Sequence, residues 1–200
     1  MGLKLSSGGH LTHGHPNITF SGKYFKSVQF GTDDDGVINY DEVEKLAKNQ
    51  KPKLLIIGTT AYPLILDWKR FARIADAIGA FSIDDISHVA GMVLAGSYPS
   101  HVPYVHVVMT TTHKTLRGPR GAIIMVTKKG LKKDPEMGTK IDRAVFPGLF
   151  GGPHNNTTDG IAQALMEAES LGFRKYGDQI VKNAKKLADE LTQRGLKLVA

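Results

Sequence analysis

Residues 51–85 read KPKLLIIGTTAYPLILDWKRFARIADAIGAFSIDD, and three segments follow one another inside that stretch. KPKLLIIG, bounded by Pro52 and Gly58, is a short continuous apolar run, the pattern of a strand buried on both faces. Asp67 then opens a helical pattern in which Phe71, Ile74, Ala75 and Ile78 fall at i, i+3, i+4 and i+7, and Gly79 ends it. The apolar AFSIDD, residues 80–85, reads as a second strand. Strand, helix and strand in this order predict an α/β fold with a mostly parallel sheet and crossover helices.

Working outward, further strands are expected at 26–30, 105–110 and 122–126. A helix is expected at 40–49, opened by Asp41 and Glu42 near its positive end. Two long helices fill 156–194, and a Gly/Pro-rich loop covers 146–153. No linker divides these pieces, so residues 1–200 read as one domain. Both ends read as cut. GGHLTHGH begins with no element before it to support it, and KLVA at 197–200 reads as a strand just starting, without a partner to pair with. The expectation is a partial domain from a longer protein.

With 41% hydrophobic and 22% charged residues the composition is that of a globular protein rather than a disordered one. The absence of cysteine excludes disulfides, iron–sulfur ligation and thiolate zinc sites. No apolar run is long enough for a membrane span and no signal peptide is visible, so a cytoplasmic location and no membrane partner are expected. The net charge of +7 raises the question of a nucleic-acid partner. Lys182, Lys185 and Lys186, however, alternate with Val181, Ala184, Leu187 and Leu191 as on a solvated helix face. No nucleic acid is expected, and the excess charge equally suits small anionic ligands.

In open α/β sheets, ligands collect outside the carboxyl ends of the strands. Three strands end in polar residues: LLIIG runs into TTAYP, FSI into DDISH, and HVVM into TTTHKTLRGPRG. Thr59, Thr60, Asp84, Asp85, His88, His113, Lys114 and Arg120 therefore converge on one cleft. Side chains alternate along a strand, so only one of Asp84 and Asp85 faces it; either could instead cap the next helix. His88, three residues past Asp85, can share its side. Lys114 becomes a nucleophile if desolvation or a nearby cation lowers its pKa, and His113, Arg117 and Arg120 are the cations at hand. In GPRG, Gly118 and Gly121 make tight turns and Arg120 can hold an anion.

GGHLTHGH carries His10, His13 and His15 close together. A zinc site is one reading, though the helical H-x-x-x-H spacing is absent. An imidazole stacked on a flat aromatic ligand is the other, with the glycines allowing close backbone approach. Gly151 and Gly152 in FPGLFGGPH could present bare N–H groups to an anion or form a plain turn.

A planar ligand, a Schiff-base lysine, a carboxylate for a ring nitrogen and anion-binding groups together describe a pyridoxal phosphate site. GGHLTHG, SGKYF, KPKLLIIGTTAYP, DDISHVAG, TTTHKTLRGPRG and AVFPGLFGGP resemble, in order and spacing, the signature segments of the serine hydroxymethyltransferase family. The resemblance implies a partial large domain of the three-layer α/β/α, fold type I architecture, with 156–194 leading toward a second, smaller domain. It implies that Lys114 holds pyridoxal 5'-phosphate as an internal aldimine and that Asp85, rather than Asp84, pairs with the pyridinium nitrogen. His10 would stack on the ring. His88 and Thr60 would lie near its phenolic oxygen, Thr60 standing where the family has serine. His113 matches a residue beside the lysine that influences substrate choice, and Arg120 an arginine of the active-site loop. Leu5, Gly9, His10 and Leu11 match the folate-binding segment. Gly151 and Gly152 match glycines that bind the cofactor phosphate of a neighbouring subunit, implying a homodimer.

The implied reaction converts serine and tetrahydrofolate to glycine and 5,10-methylenetetrahydrofolate. The ring stabilises the carbanion left when the Cα–Cβ bond of serine breaks. Phe150, Leu64, Lys4 and Ser7 depart from residues more usual in the family. Phosphate-binding residues, a tyrosine, a glutamate and a carboxylate-gripping arginine that the family carries elsewhere have no counterpart here, so full activity is not expected of this stretch alone. Two other readings are another pyridoxal phosphate enzyme, such as a threonine aldolase or a transaminase, and a noncatalytic fragment with a basic RNA-binding surface.

Overall fold

A computed structural model describes residues 1–198. Its strands are β1 (Gly2–Leu3), β2 (Gln29–Phe30), β3 (Leu54–Gly58), β4 (Phe81–Asp85), β5 (Val107–Thr111) and β6 (Ala122–Val126). Its helices are α1 (Phe20–Tyr24), α2 (Tyr40–Gln50), α3 (Trp68–Ala77), α4 (Ala90–Ala95), α5 (Lys128–Lys133), α6 (Met137–Val145), α7 (Asn155–Ala168) and α8 (Leu171–Gln193). The strand expected at 197–200 falls partly on Val199 and Ala200, which lie outside the described residues; Lys197 and Leu198 take no strand conformation.

The main sheet runs in the order β3–β4–β5–β6. β3, β4 and β5 are parallel, with Gly58 opposite Asp85 and Asp85 opposite Met109. β6 runs antiparallel to β5, because the 112–121 loop joining them is too short for a crossover helix. β1 and β2 pair in parallel, Leu3 opposite Phe30, and the Ile56 N–H donates to the Met1 carbonyl at 2.8 Å, tying this pair to the free edge of β3. The fold is thus mixed α/β with a mostly parallel sheet.

The 51–85 unit is the centre of the core. Leu55 and Ile57 on β3 are fully buried on one face of the sheet, whereas Leu54 is 42% exposed and Ile56 half-buried on the other. The strand expected to be covered on both faces is thus covered on one only, as suits its place at the sheet edge. α3 starts where Asp67 Oδ1 accepts the Arg70 N–H at 3.0 Å, and it buries Phe71, Ile74 and Ala75. Phe71 packs edge-on to Tyr40 at 5.2 Å between centroids and tilted to Phe30 at 5.8 Å, which binds α2 and the β1–β2 pair to the same core.

Several boundaries differ from the sequence pattern. The 26–30 strand shrinks to Gln29–Phe30, since its partner among the described residues is the two-residue β1. The helix expected at 40–49 forms as Tyr40–Gln50 with Asp41 and Glu42 in its first turn, and Asn39, which the pattern does not mark, caps it by accepting their N–H groups. The two helices expected over 156–194 are present as α7 and α8, divided at Ser170, whose Oγ accepts the Phe173 N–H. Helices α4, α5 and α6 have no counterpart in the pattern reading.

Candidate functional site

The site is assembled at the carboxyl ends of β3, β4 and β5. β3 ends in Gly58 at φ +131°, where a Cβ would lie 2.3 Å from the Asp85 carbonyl; only glycine lets β4 run past at this point. Beyond it, the Thr60 and Ala61 N–H groups donate to the Gly8 carbonyl at 2.8 and 3.1 Å. Gly9 lies so close to Leu3 that an added Cβ would sit 2.2 Å from its carbonyl oxygen. These approaches bring the GGHLTHGH loop over the strand ends.

Asp85 is the hub. His13, 4% exposed, approaches its Oδ2 through Nε2 at 3.0 Å. The Ser87 N–H donates to Oδ1 at 3.0 Å, and the Ser87 hydroxyl donates to the same oxygen. Burial pushes the Asp85 carboxyl upward, but the His13 and Ser87 hydrogen bonds outweigh it and hold the group below the ordinary aspartate range. An ionised carboxylate only accepts, so His13 Nε2 must carry the proton. Of roughly four lone-pair positions on a carboxylate, three are taken, leaving one acceptor position for a further donor.

From Asp85 the contacts continue to the lysine. Ser87 Oγ accepts the Thr111 N–H at 2.9 Å, and Lys114 Nζ donates to Thr111 Oγ1 at 2.8 Å. His10 lies 5.6 Å from His13 between ring centroids. Its Nδ1 accepts the Thr12 N–H at 3.3 Å, which leaves the proton of the neutral ring on Nε2. Burial lowers the His10 pKa, with His13 and Lys114 adding to the effect and Asp85 opposing it. His88 is lowered by burial and then by Lys114, and His113 by burial, then Arg120 and Lys114. All three histidines therefore favour the neutral form near pH 7. Thr60 Oγ1 and His113 Nδ1 are buried with no hydrogen-bond partner, two orphaned polar atoms that a bound polar ligand can satisfy.

Asp84 faces the opposite way. It is 1% exposed and pairs with the Nδ1 of His101, whose ring stacks on Trp68 at 3.6 Å and 11°. Burial raises its pKa, and the His101 hydrogen bond opposes that. The structure thus separates the two aspartates, one to the lysine side and one to the core.

Among the described residues no group of three or more His, Cys, Asp or Glu side chains could hold a metal ion; His13, a member of the triple-histidine loop, is committed to Asp85. Arg120 is exposed and acts on His113. Leu5 is exposed in a 3-10 turn at Leu5–Ser7, and Leu11 is half-buried. Gly151 and Gly152 are exposed with open space around them, unconnected to the Lys114 cluster. The GPRG turn folds back on Thr112: the Gly118 N–H donates to the Thr112 carbonyl at 2.8 Å, and the Thr112 hydroxyl to the Pro119 carbonyl at 2.6 Å.

The chain matches the family described as serine hydroxymethyltransferase over residues 1–200. It belongs to the serine hydroxymethyltransferase family. It is 49% identical over 199 residues to a serine hydroxymethyltransferase of Desulfotalea psychrophila, 47% over 201 residues to one of Nostoc punctiforme and 48% over 200 residues to one of Leptothrix cholodnii. Each comparison covers 100% of this chain and 45%, 45% and 46% of the relative, so the chain spans somewhat less than half the length of these curated relatives.

As a serine hydroxymethyltransferase family member, the chain contains two residues whose part in the site the sequence does not announce, His13 being read there only as a possible zinc ligand and Ser87 not at all. His13 reaches Asp85 across 72 positions of sequence, a contact no local signal announces. Ser87 is different: an aspartate followed two residues later by serine is the pattern of an Asx turn, which the Ser87 N–H to Asp85 Oδ1 bond closes.

Proposed function

We propose that this chain carries the cofactor-holding core of a serine hydroxymethyltransferase, in which serine and tetrahydrofolate are converted reversibly to glycine and 5,10-methylenetetrahydrofolate. The observation that supports it best is the unbroken run of contacts from His13 through Asp85, Ser87 and Thr111 to Lys114. It ties an ionised carboxylate with one free acceptor position to a primary amine. When bound, pyridoxal 5'-phosphate supplies a ring that takes up the electron pair released as the Cα–Cβ bond of serine breaks.

In this reading Lys114 would be the covalent anchor, and Asp85 would hold the ring nitrogen's proton through the acceptor position that His13 and Ser87 leave open. His10, neutral at pH 7, covers the ring without placing a second positive charge against it. Thr60 and His88 serve the phenolic oxygen, which suits the orphaned Thr60 hydroxyl. His113 and Arg120 line the substrate side, and Leu5, Gly9, His10 and Leu11 meet the folate. The chain would form one partial large domain of the three-layer, fold type I kind, working in the cytoplasm as a homodimer whose Gly151 and Gly152 serve the neighbouring subunit's cofactor phosphate. No described helix is long and apolar enough to cross a membrane.

The test is to add pyridoxal phosphate and look for a visible absorption band that borohydride fixes onto Lys114. Because trapping accumulates, it registers weak binding as well as strong. A label spread over the many surface lysines, unchanged by Lys114→Ala, refutes the cofactor assignment. A band on Lys114 whose serine turnover ignores tetrahydrofolate redirects the reading to an aldolase.

A further inference from the structure

We propose that Arg117 is a positioning residue for Lys114, clamping the lysine loop onto the α7–α8 hairpin. The proposal rests on Lys114 being the cofactor's anchor, but the clamp itself concerns only how the loop is held. Arg117 adopts φ +61°, the left-handed region that glycine enters freely and a residue with a Cβ does not. The turn alone therefore gives no reason for an arginine. Its backbone N–H donates to the Lys114 carbonyl at 2.9 Å, so this conformation closes the turn that carries the lysine.

The side chain supplies the reason. The Arg117 guanidinium lies over the Tyr176 ring at 4.6 Å from the centroid and near Phe173 at 5.4 Å, with Glu167 of α7 at 3.8 Å. Phe173 is 2% exposed and belongs to the core, so the cation is stacked on a fixed surface. The planar guanidinium suits this stack in a way an ammonium does not. Two further ties hold the other side of the same loop. Thr115 Oγ1 accepts the Gly91 N–H of α4 at 2.9 Å, and Leu116 is buried at 3% exposure. Gly118 and Pro119 lie close against Ala164 and Gly160 of α7, and Arg117 is the side-chain tie to α8, so its loss loosens the lysine turn on that side.

Arg117→Gly separates the turn from the clamp, since glycine accepts the backbone conformation and lacks the side chain. Arg117→Lys keeps the charge without the planar stack, and Tyr176→Leu removes the ring from the other partner. In each variant we would measure amide hydrogen exchange over residues 112–118, and the affinity and pH midpoint of the visible band formed with pyridoxal phosphate. The clamp predicts exchange faster by about tenfold at Arg117 and Gly118, binding weaker by about fivefold and a displaced pH midpoint, with the melting temperature of Arg117→Gly close to the parent's. Unchanged exchange and an unchanged midpoint in Arg117→Gly and Tyr176→Leu overturn it. If the parent shows no trapping on Lys114, the cofactor reading fails by itself, and the exchange arm still decides the clamp. Should Arg117→Gly not fold, Arg117→Lys and Tyr176→Leu carry the same comparison.

Discussion

His13 donates its Nε2 proton to Asp85 Oδ2 at 3.0 Å, joining the histidine-rich loop to the end of β4. With the Ser87 contacts it keeps a largely buried carboxylate charged. A hydrogen bond to a charged group contributes about 1.5–3 kcal/mol. His13→Ala is therefore expected to raise the Asp85 pKa and weaken pyridoxal phosphate binding by about tenfold or more. His13→Asn, which retains a donor, should recover part of the loss. Titration of the visible band checks both.

The adjacent aspartates should respond to different assays. Asp85→Asn removes the charge facing Lys114 and is expected to weaken the visible band by about tenfold or more. His101→Ala leaves Asp84 buried without its hydrogen-bond partner beside Trp68, and leaving a buried polar group unsatisfied costs about 1–3 kcal/mol. Chemical denaturation should register that cost, while borohydride trapping on Lys114 below the lowered melting point stays intact. A stability loss for Asp85→Asn matching that of His101→Ala would argue against the division.

What the sequence disclosed follows the range of the interactions. LLIIG and the Phe71, Ile74, Ala75 face were legible because the residues that form each element are adjacent or one turn apart, with Asp67 and Gly79 marking the ends. The meeting of Lys114, His88 and the Asp84–Asp85 pair was legible because strand ends gather them, whereas His10 was legible from its glycine-flanked loop and the family resemblance. β1 was not, since two residues carry no period and Leu3 becomes a strand only through Phe30. The roles of His13 and Arg117 were hidden for the same reason: their partners at Asp85 and Tyr176 are distant in the chain. Asp84 and Asp85 could not be ranked by position alone, because the facing of a strand end depends on what covers it, here Trp68 and His101 on one side and His13 on the other.

Gly58→Ala is expected to be the most damaging single-methyl change in the site. It places a Cβ 2.3 Å from the Asp85 carbonyl, at φ +131°, where the β3–β4 ladder leaves neither backbone room to shift. Strain of this kind costs of order 1–3 kcal/mol before any clash is counted. Urea denaturation should show the loss, and the surviving folded fraction should bind pyridoxal phosphate poorly because Asp85 itself is displaced. By contrast, Gly151→Ala and Gly152→Ala have open space around them and should leave stability unchanged.

His106 gives the fold an acid limit. It is 1% exposed, and its Nδ1 accepts the Ser82 N–H at 3.0 Å, which the neutral ring with its proton on Nε2 allows and the imidazolium does not. Burial, then Lys133 and Lys129, push its pKa down to about 4 from an ordinary value of 6.5. The unfolded chain therefore takes up the proton first as pH falls. Stability contributed by neutral His106 is complete above about pH 6.5 and is lost progressively toward pH 4, below which both states are protonated and the loss is constant. Asp84, whose pKa burial raises, acts in the opposite sense over the acid range, so the test is a comparison of slopes. His106→Asn keeps an acceptor near the Ser82 N–H but does not titrate. Melting temperatures between pH 7 and pH 4 should fall less steeply for His106→Asn than for the parent, and parallel slopes would show that His106 is not the group responsible.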